Sequence, residues 1–251
     1  MRLGIILWLC LVSTPVWAIV NIEELRLDES VAGWKLSSTL SVSGKRGSVE
    51  QDKFALKGAT QWVSADLVNR TLMLFDASVD KRDDETYAEN YFIHLRQTRQ
   101  LDELWALEAL VQFQDEPTNN QYRRQLAGAN MRYRLTQASF DGYAGLGLFY
   151  EQRYIIDELV GKQQEQDWRL NVYLHYVFPL SEHADWALSL YAQPAVNQPS
   201  DLRSVINSGF ISNVTQHFSL TFDISFSNES KPLMGQAYSE WEYGMGVNFR
   251  F

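Results

Sequence analysis

Residues 168–178 read Trp168-Arg169-Leu170-Asn171-Val172-Tyr173-Leu174-His175-Tyr176-Val177-Phe178, with an apolar or aromatic side chain at every second position from Trp168 to Phe178. A period of two puts alternate side chains on opposite faces of an extended strand, so this stretch predicts a strand with one apolar face. The same alternation runs through Trp34, Leu36, Leu40 and Val42, through Phe54, Leu56 and Trp62, and through Trp105, Leu107, Ala109, Val111 and Phe113. It returns at Phe140, Ala144, Leu146, Leu148 and Tyr150, at Trp186, Leu188, Leu190 and Ala192, and at Phe218, Leu220, Phe222, Ile224 and Phe226. The last such segment is Trp241, Tyr243, Met245, Val247, Phe249 and Phe251. With weaker segments near 70–79, 89–98, 123–135 and 203–213 the count is about twelve strands, each of the length that crosses a bilayer when tilted.

The connections alternate as well. Long polar stretches at 43–52, 80–87, 115–121, 155–167, 194–202 and 228–236 take turns with short ones at 65–69, 98–102, 136–139, 181–184 and 214–216. Long loops on one side and short turns on the other predict an all-β, transmembrane antiparallel barrel, with the short turns and both chain ends in the periplasm. A soluble β-sandwich also alternates, but it buries its aromatics in mid-strand. Here Trp34, Trp62, Trp105, Trp168, Phe178, Trp186 and Trp241 stand at strand ends, where interfacial girdles form.

Composition agrees. The 251 residues are 45% hydrophobic and 13% aromatic, too apolar for a disordered chain, while the only long apolar run is at the N-terminus. That run, Arg2 followed by Leu3 to Val12 and then Val16-Trp17-Ala18, reads as a signal peptide cleaved after Ala18. The expected organisation is a signal over 1–18, a short periplasmic lead over 19–32 and a barrel over 33–251. The one cysteine, Cys10, leaves with the signal, so disulfides and thiolate metal sites are excluded. A balance of 22 basic against 31 acidic residues, together with export, argues against nucleic acid.

Several stretches carry a family resemblance. They are Lys35 to Gly44, Tyr122-Arg123-Arg124-Gln125-Leu126-Ala127-Gly128-Ala129-Asn130, Gly145-Leu146-Gly147-Leu148-Phe149-Tyr150-Glu151, and Glu242-Tyr243-Gly244-Met245-Gly246-Val247-Asn248-Phe249 after Lys231-Pro232. Together they resemble the salt-induced outer-membrane proteins of Gram-negative bacteria, a domain-of-unknown-function barrel family. The resemblance runs from about Trp34 to Phe251 and implies architecture and an outer-membrane location, with no activity attached. The first loop departs from that family's Ser-Gly-Asn-Thr turn with Ser43-Gly44-Lys45-Arg46. The terminal Phe251 also looks like the signal read by the barrel assembly machinery, which with outer-membrane lipids and lipopolysaccharide is an expected partner.

The opposite parity of each strand lists the lumen. Lys53, Lys57, Arg70, Arg96, Arg132, Arg134, Arg169 and Arg250 are expected to face inward, with Asp76, Glu108, Asp223, Glu240 and Glu242. Charges on the lipid face would cost about 2–4 kcal/mol each near the midplane, so their gathering on one parity supports the phase. Two readings follow. In one the charges pair and plug a barrel of structural or envelope-stress role; in the other a narrow anion-leaning pore admits small ions or solutes, since Arg and Lys rings select anions.

Catalysis has little to build on. His183 and His217 fall by short turns, and His94 and His175, near mid-strand on the lumen parity, are the candidates for a proton-sensitive or metal-binding pair. No nucleophile motif accompanies them, so a lipid-acting enzyme is the third and weakest reading and no cofactor is expected. Gly128, Gly145, Gly147, Gly244 and Gly246 lie inside strands with no following helix; they read as space for bulky lumen side chains. The acidic runs at Asp80 to Glu85 and Asp157 to Asp167 read as solvated loop tips, with divalent bridging to lipopolysaccharide phosphates as the alternative.

Overall fold

The structure is a computed structural model that describes residues 31–45, 51–83, 85–118, 121–135, 141–157, 161–215, 217–233 and 237–250. The signal peptide, most of the 19–32 lead and Phe251 lie outside these residues. Twelve strands occur among the described residues: Gly33–Lys45 (β1), Gln51–Val63 (β2), Asn69–Arg82 (β3), Glu85–Gln100 (β4), Trp105–Glu116 (β5) and Tyr122–Arg134 (β6). The second half holds Asp141–Asp157 (β7), Gly161–Ser181 (β8), Ala184–Pro194 (β9), Leu202–Asn213 (β10), Phe218–Glu229 (β11) and Ser239–Arg250 (β12). Each strand pairs antiparallel with its sequence neighbours, and β1 meets β12 to close the barrel. That seam is short, pairing Ser37 with Arg250 and Ser38 with Phe249.

The alternation in sequence becomes two faces. Leu146, Leu148, Leu170, Val172 and Phe222 are exposed on the outside, while Arg96, Glu108, Arg132, Glu151 and Arg169 are buried on the inside. Aromatic residues opposite one another on adjacent strands meet in pairs, one stacked and three tilted: Trp105 with Tyr133 at 4.8 Å, Phe178 stacked with Trp186 at 5.1 Å, Tyr150 with Trp168 at 5.4 Å and Phe226 with Trp241 at 4.6 Å between centroids. The first two pairs stand at the short-turn end and the last two at the other. On β8, Trp168 and Phe178 mark both levels. At about 3.3 Å per residue and a tilt of about 40°, the distance between them is about 25 Å of height, the thickness of an outer-membrane apolar band.

Several stretches expected as long loops are strand instead. β3 and β4 stay paired to Arg82 and Glu85, and β7 and β8 to Asp157 and Gly161, so most of 80–87 and 155–167 continues the ladder above the girdle. Continuing the ladder satisfies backbone groups that a loop would leave to water, and polar residues alternate there as readily as apolar ones. Asp83 and Gly161, both with positive φ, turn the chain at these tips. The connections 195–201, 230–233 and 237–238 stay outside the strands. At the opposite end the β2–β3 turn is set by Ser64, whose hydroxyl donates to Asp66 and holds that carboxyl below its usual range.

One part of the interior is apolar, against the expectation of a polar lumen throughout. Ala59, Leu72, Leu74 and Phe92 form a buried cluster on the inner faces of β2, β3 and β4. In Leu72-Met73-Leu74-Phe75 both parities are apolar, so alternation could not tell the faces apart.

Replacing Leu146, exposed in the middle of β7, with Arg is expected to destabilise the barrel by about 2–4 kcal/mol, and Gln152→Arg above the girdle to do little. Urea unfolding of the two variants in phospholipid vesicles checks this.

Candidate functional site

The lumen is crossed by two layers of ion pairs. In the layer near the short turns, Glu108 is wholly buried on β5. Arg132 on β6 approaches its Oε1 at 3.3 Å and Arg96 on β4 at 3.8 Å, while the Tyr173 hydroxyl on β8 donates to Oε2 at 2.7 Å. The guanidinium of Arg132 also lies over the Tyr143 ring at 4.2 Å. Two cations share one carboxylate, and neutral Tyr173 reaches it because the facing position on β7 is glycine. A Cβ on Gly145 would fall among the ring atoms of Tyr173. The glycines at Gly128 and Gly147 make the same kind of room against Phe149 and Asn130, as their lumen parity implied; Gly244 instead faces open space.

The outer layer is larger and centres on Glu151 of β7. Its carboxylate takes Arg124 from β6, Arg203 from β10 and Arg169 from β8, the last at 3.2 Å. Arg203 Nε goes on to Glu229 of β11 at 2.7 Å, and Arg153 joins Glu229 and Glu165, each at 2.5 Å. Arg169 Nη2 reaches Asp201 in the β9–β10 loop at 2.9 Å and its Nη1 donates to the Gln193 and Asp201 carbonyls. The layer thus ties β6, β7, β8, β10 and β11 together. Leu233, from the β11–β12 loop, packs on Tyr122 and Ile155 at the outer mouth, so apolar surface covers the charges. Beyond it a shallow hollow of about 500 Å³ is lined by Glu165, Asp167, Asn197, Gln198, Asp201 and Lys231.

Of the inward residues read from sequence, Arg96, Glu108, Arg132 and Arg169 form the cores of these layers. Lys57 pairs with Asp76 at 3.3 Å on a more open part of the wall, and Arg70 donates to Gln100 at 3.1 Å near the short turns. Glu240 is half-buried on β12, while the Glu242 side chain lies outside the described residues. Lys53 and Arg134 depart from the expectation. Lys53 is exposed at the outer end of β2, and Arg134 is exposed at the periplasmic end of β6, 3.6 Å from Asp141. Their parity is inward, but parity carries no depth, and at the rims water replaces the lumen.

Apart from Arg169, the outer layer escaped the sequence reading. Glu151 and Arg153 follow Tyr150, where the apolar alternation stops, and Arg203 opens a weakly patterned strand. Extending the inward parity of β7 past Tyr150 would have found the first two. His94 and His175 are both buried on the inner wall with separate partners, Gln112 Oε1 at 3.4 Å and Ser189 Oγ at 2.9 Å. Among the described residues no group of three or more His, Cys, Asp or Glu is arranged to hold a metal ion.

A closed antiparallel barrel of twelve strands with an apolar outer band and a charged, filled lumen is the architecture of outer-membrane barrels. Residues 38–251 match the family model described as "Protein of unknown function, DUF481", and the chain belongs to that family. Among solved structures it is similar to the NanC porin, with 10% identity, 88% of this chain and 100% of that one covered, and a TM-score of 0.50. It is also similar to the translocator domain of the autotransporter NalP from Neisseria meningitidis, at 12% identity, 91% coverage of each chain and a TM-score of 0.49. No curated protein matches it in sequence.

Glu151→Gln leaves Arg124, Arg169 and Arg203 facing one another under an apolar cover, and is expected to cost about 3–5 kcal/mol. Gly145→Val should displace Tyr173 from Glu108 at about 1–3 kcal/mol. The temperature at which the compact band is lost on unheated gels reads both, with a larger drop for Glu151→Gln.

Proposed function

We propose that the protein is a non-enzymatic outer-membrane barrel, exported through a signal peptide cleaved after Ala18, whose lumen charges hold the wall together and leave at most a narrow passage. The observation that carries this is the outer layer, in which Glu151 and Glu229 link Arg124, Arg153, Arg169 and Arg203 across five strands. A wide pore has no use for four arginines locked to carboxylates across its mouth. The enzyme reading gains no support from the histidines, each of which is engaged with an uncharged neighbour.

Outer-membrane lipids, lipopolysaccharide and the assembly machinery, the last through Phe251, are the proposed partners. A role in envelope stress, as in the salt-induced proteins, rests on the motif resemblance alone. A second reading, a narrow anion-leaning channel, is favoured by one feature: the inner layer brings two arginines, Arg96 and Arg132, to one level of the lumen beside Glu108, and arginines lining a passage favour anions.

Tags at Gly47 and Gly161 are expected to be accessible on intact cells and one at Thr136 hidden; the reverse pattern would mean the orientation is wrong. Deleting Phe251 should reduce heat-modifiable barrel without reducing export. In planar bilayers the conductance should be small and weakly anion-selective, and Arg132→Ala should reduce that selectivity. Conductance of the size of a general porin would overturn the reading.

A further inference from the structure

Between the two charged layers lies a belt of uncharged polar side chains. On β8 the successive inward residues are Arg169, Asn171 and Tyr173; on β6, Asn130 lies between Arg124 and Arg132; on β5, Gln112 lies between Glu108 and Glu116. The belt is held together by amides. Asn171 donates to Asn130 at 3.0 Å, Gln193 donates to Asn171 at 3.0 Å, and Ser225 of β11 donates to Asn207 of β10 at 2.7 Å. Each of these bonds uses one end of an amide. The other ends of three belt residues, Gln112 Nε2, Gln193 Oε1 and Asn207 Nδ2, have no hydrogen-bond partner among the described residues, although these residues are less than a tenth exposed. Buried amide groups in folded proteins are almost always hydrogen-bonded, so two donors and one acceptor lack the partners such groups normally have.

The lumen is filled on one side. Apart from Arg203 of β10 and Glu229 of β11 in the outer layer, the ion-paired residues and rings described above crowd the inner faces of β4 to β8, whereas further along β11 Thr221, Asp223, Ser225 and Ser227 are all half-buried, beside Gly244 of β12. A Cβ placed on Gly244 would meet nothing within 4 Å. Among the described residues, space, hydroxyl groups and the Asp223 carboxylate therefore lie together along β11 and β12, beside Asn207 of the amide belt.

We propose that this belt is a binding station within the lumen for a small neutral solute rich in hydroxyl groups, of the chemistry of a pentitol, which reaches it along the β11–β12 strip. Hydroxyl groups both donate and accept, so one such solute satisfies amide N–H and C=O groups together. An anion at this level would lose hydration against uncharged amides and the Asp223 carboxylate, so the belt suits a neutral solute better. The proposal rests on the barrel reading above, which is tested by location and gel mobility and so fails separately.

The test uses the refolded mature chain in planar bilayers and in vesicles, with arabitol as probe. Wild-type protein should admit arabitol faster than protein-free vesicles do, and arabitol should reduce the potassium chloride current saturably. Asn207→Ala removes an amide and widens the lumen. A passage that merely sieves would then let arabitol through faster with any block unchanged, and that result would overturn the proposal. A binding station instead loses the block, with half-block moving several-fold higher in concentration. Gln112→Ala serves equally if the first variant fails to fold. If arabitol leaves the wild-type current unaffected, the belt holds water alone and the proposal is wrong. It is equally wrong if a correctly heat-modifiable barrel neither conducts nor admits arabitol.

Discussion

Hydrocarbon offers no hydrogen-bond partner, so every backbone amide between the two aromatic levels must find its partner in an adjacent strand. The rest of the molecule follows from that requirement. A sheet without free edges is a barrel, its strands alternate outward apolar with inward polar residues, and the inward set must then satisfy itself in confined space. Along β8 these conditions appear within eleven residues: Leu170, Val172 and Leu174 face out, while Arg169, Asn171, Tyr173 and His175 each find a bonded partner inside. The seam between β1 and β12 meets this demand least, with two paired positions, and beside it Trp34, Tyr243 and Met245 are the most exposed apolar side chains among the described residues.

Filling the lumen with charge brings its own constraint. A carboxylate removed from water costs several kcal/mol unless partners surround it, so Glu151 gathers three arginines and Glu108 two arginines and a tyrosine hydroxyl. Arginine suits this work because its planar fork can hold two acceptors on different strands, as Arg153 does with Glu165 and Glu229. The glycines of β7 belong to the same arrangement. The Tyr173 ring from β8 and the Asn130 amide from β6 need a wall without side chains to lie against, and Gly145 and Gly147 supply it.

What could be read from sequence divides along physical lines. The parity of Trp168 to Phe178 fixed both faces of β8 before any coordinates, because period two is a local property of an extended chain. The number of strands and the direction of Arg96, Glu108, Arg132 and Arg169 came from the same signal. Strand ends were harder, since residues such as Gln152, Tyr154 and Gln164 keep the ladder going without any apolar period to mark it. Apart from Arg169 the outer layer is not legible there, and Arg134 reads as a lumen residue for the opposite reason, its parity inward but its depth at the rim. The partners of each charge were never legible. Glu151 and Arg203 are 52 residues apart, and only barrel closure with its tilt brings β7 and β10 to one level.

The two layers also explain why the barrel settles in one register. A strand slipped by one residue against its neighbours turns every side chain to the other face. If the lumen were filled with aliphatic residues, as it is around Leu72 and Leu74, the slipped strand would meet hydrocarbon with little loss. With Arg132, Glu151 or Arg169 on that strand, a misplaced charge beside the girdle costs up to about 1 kcal/mol on the outer face, and leaving its former partners unmatched inside costs about 3–5 kcal/mol more. Buried ion pairs add little to stability when compared with well-packed apolar residues, but they raise the energy of the wrong arrangements far more than that of the right one. On this argument the charges lie where register most needs fixing: β7 and β8 are the longest strands, 17 and 21 residues, and carry Glu151, Arg153 and Arg169.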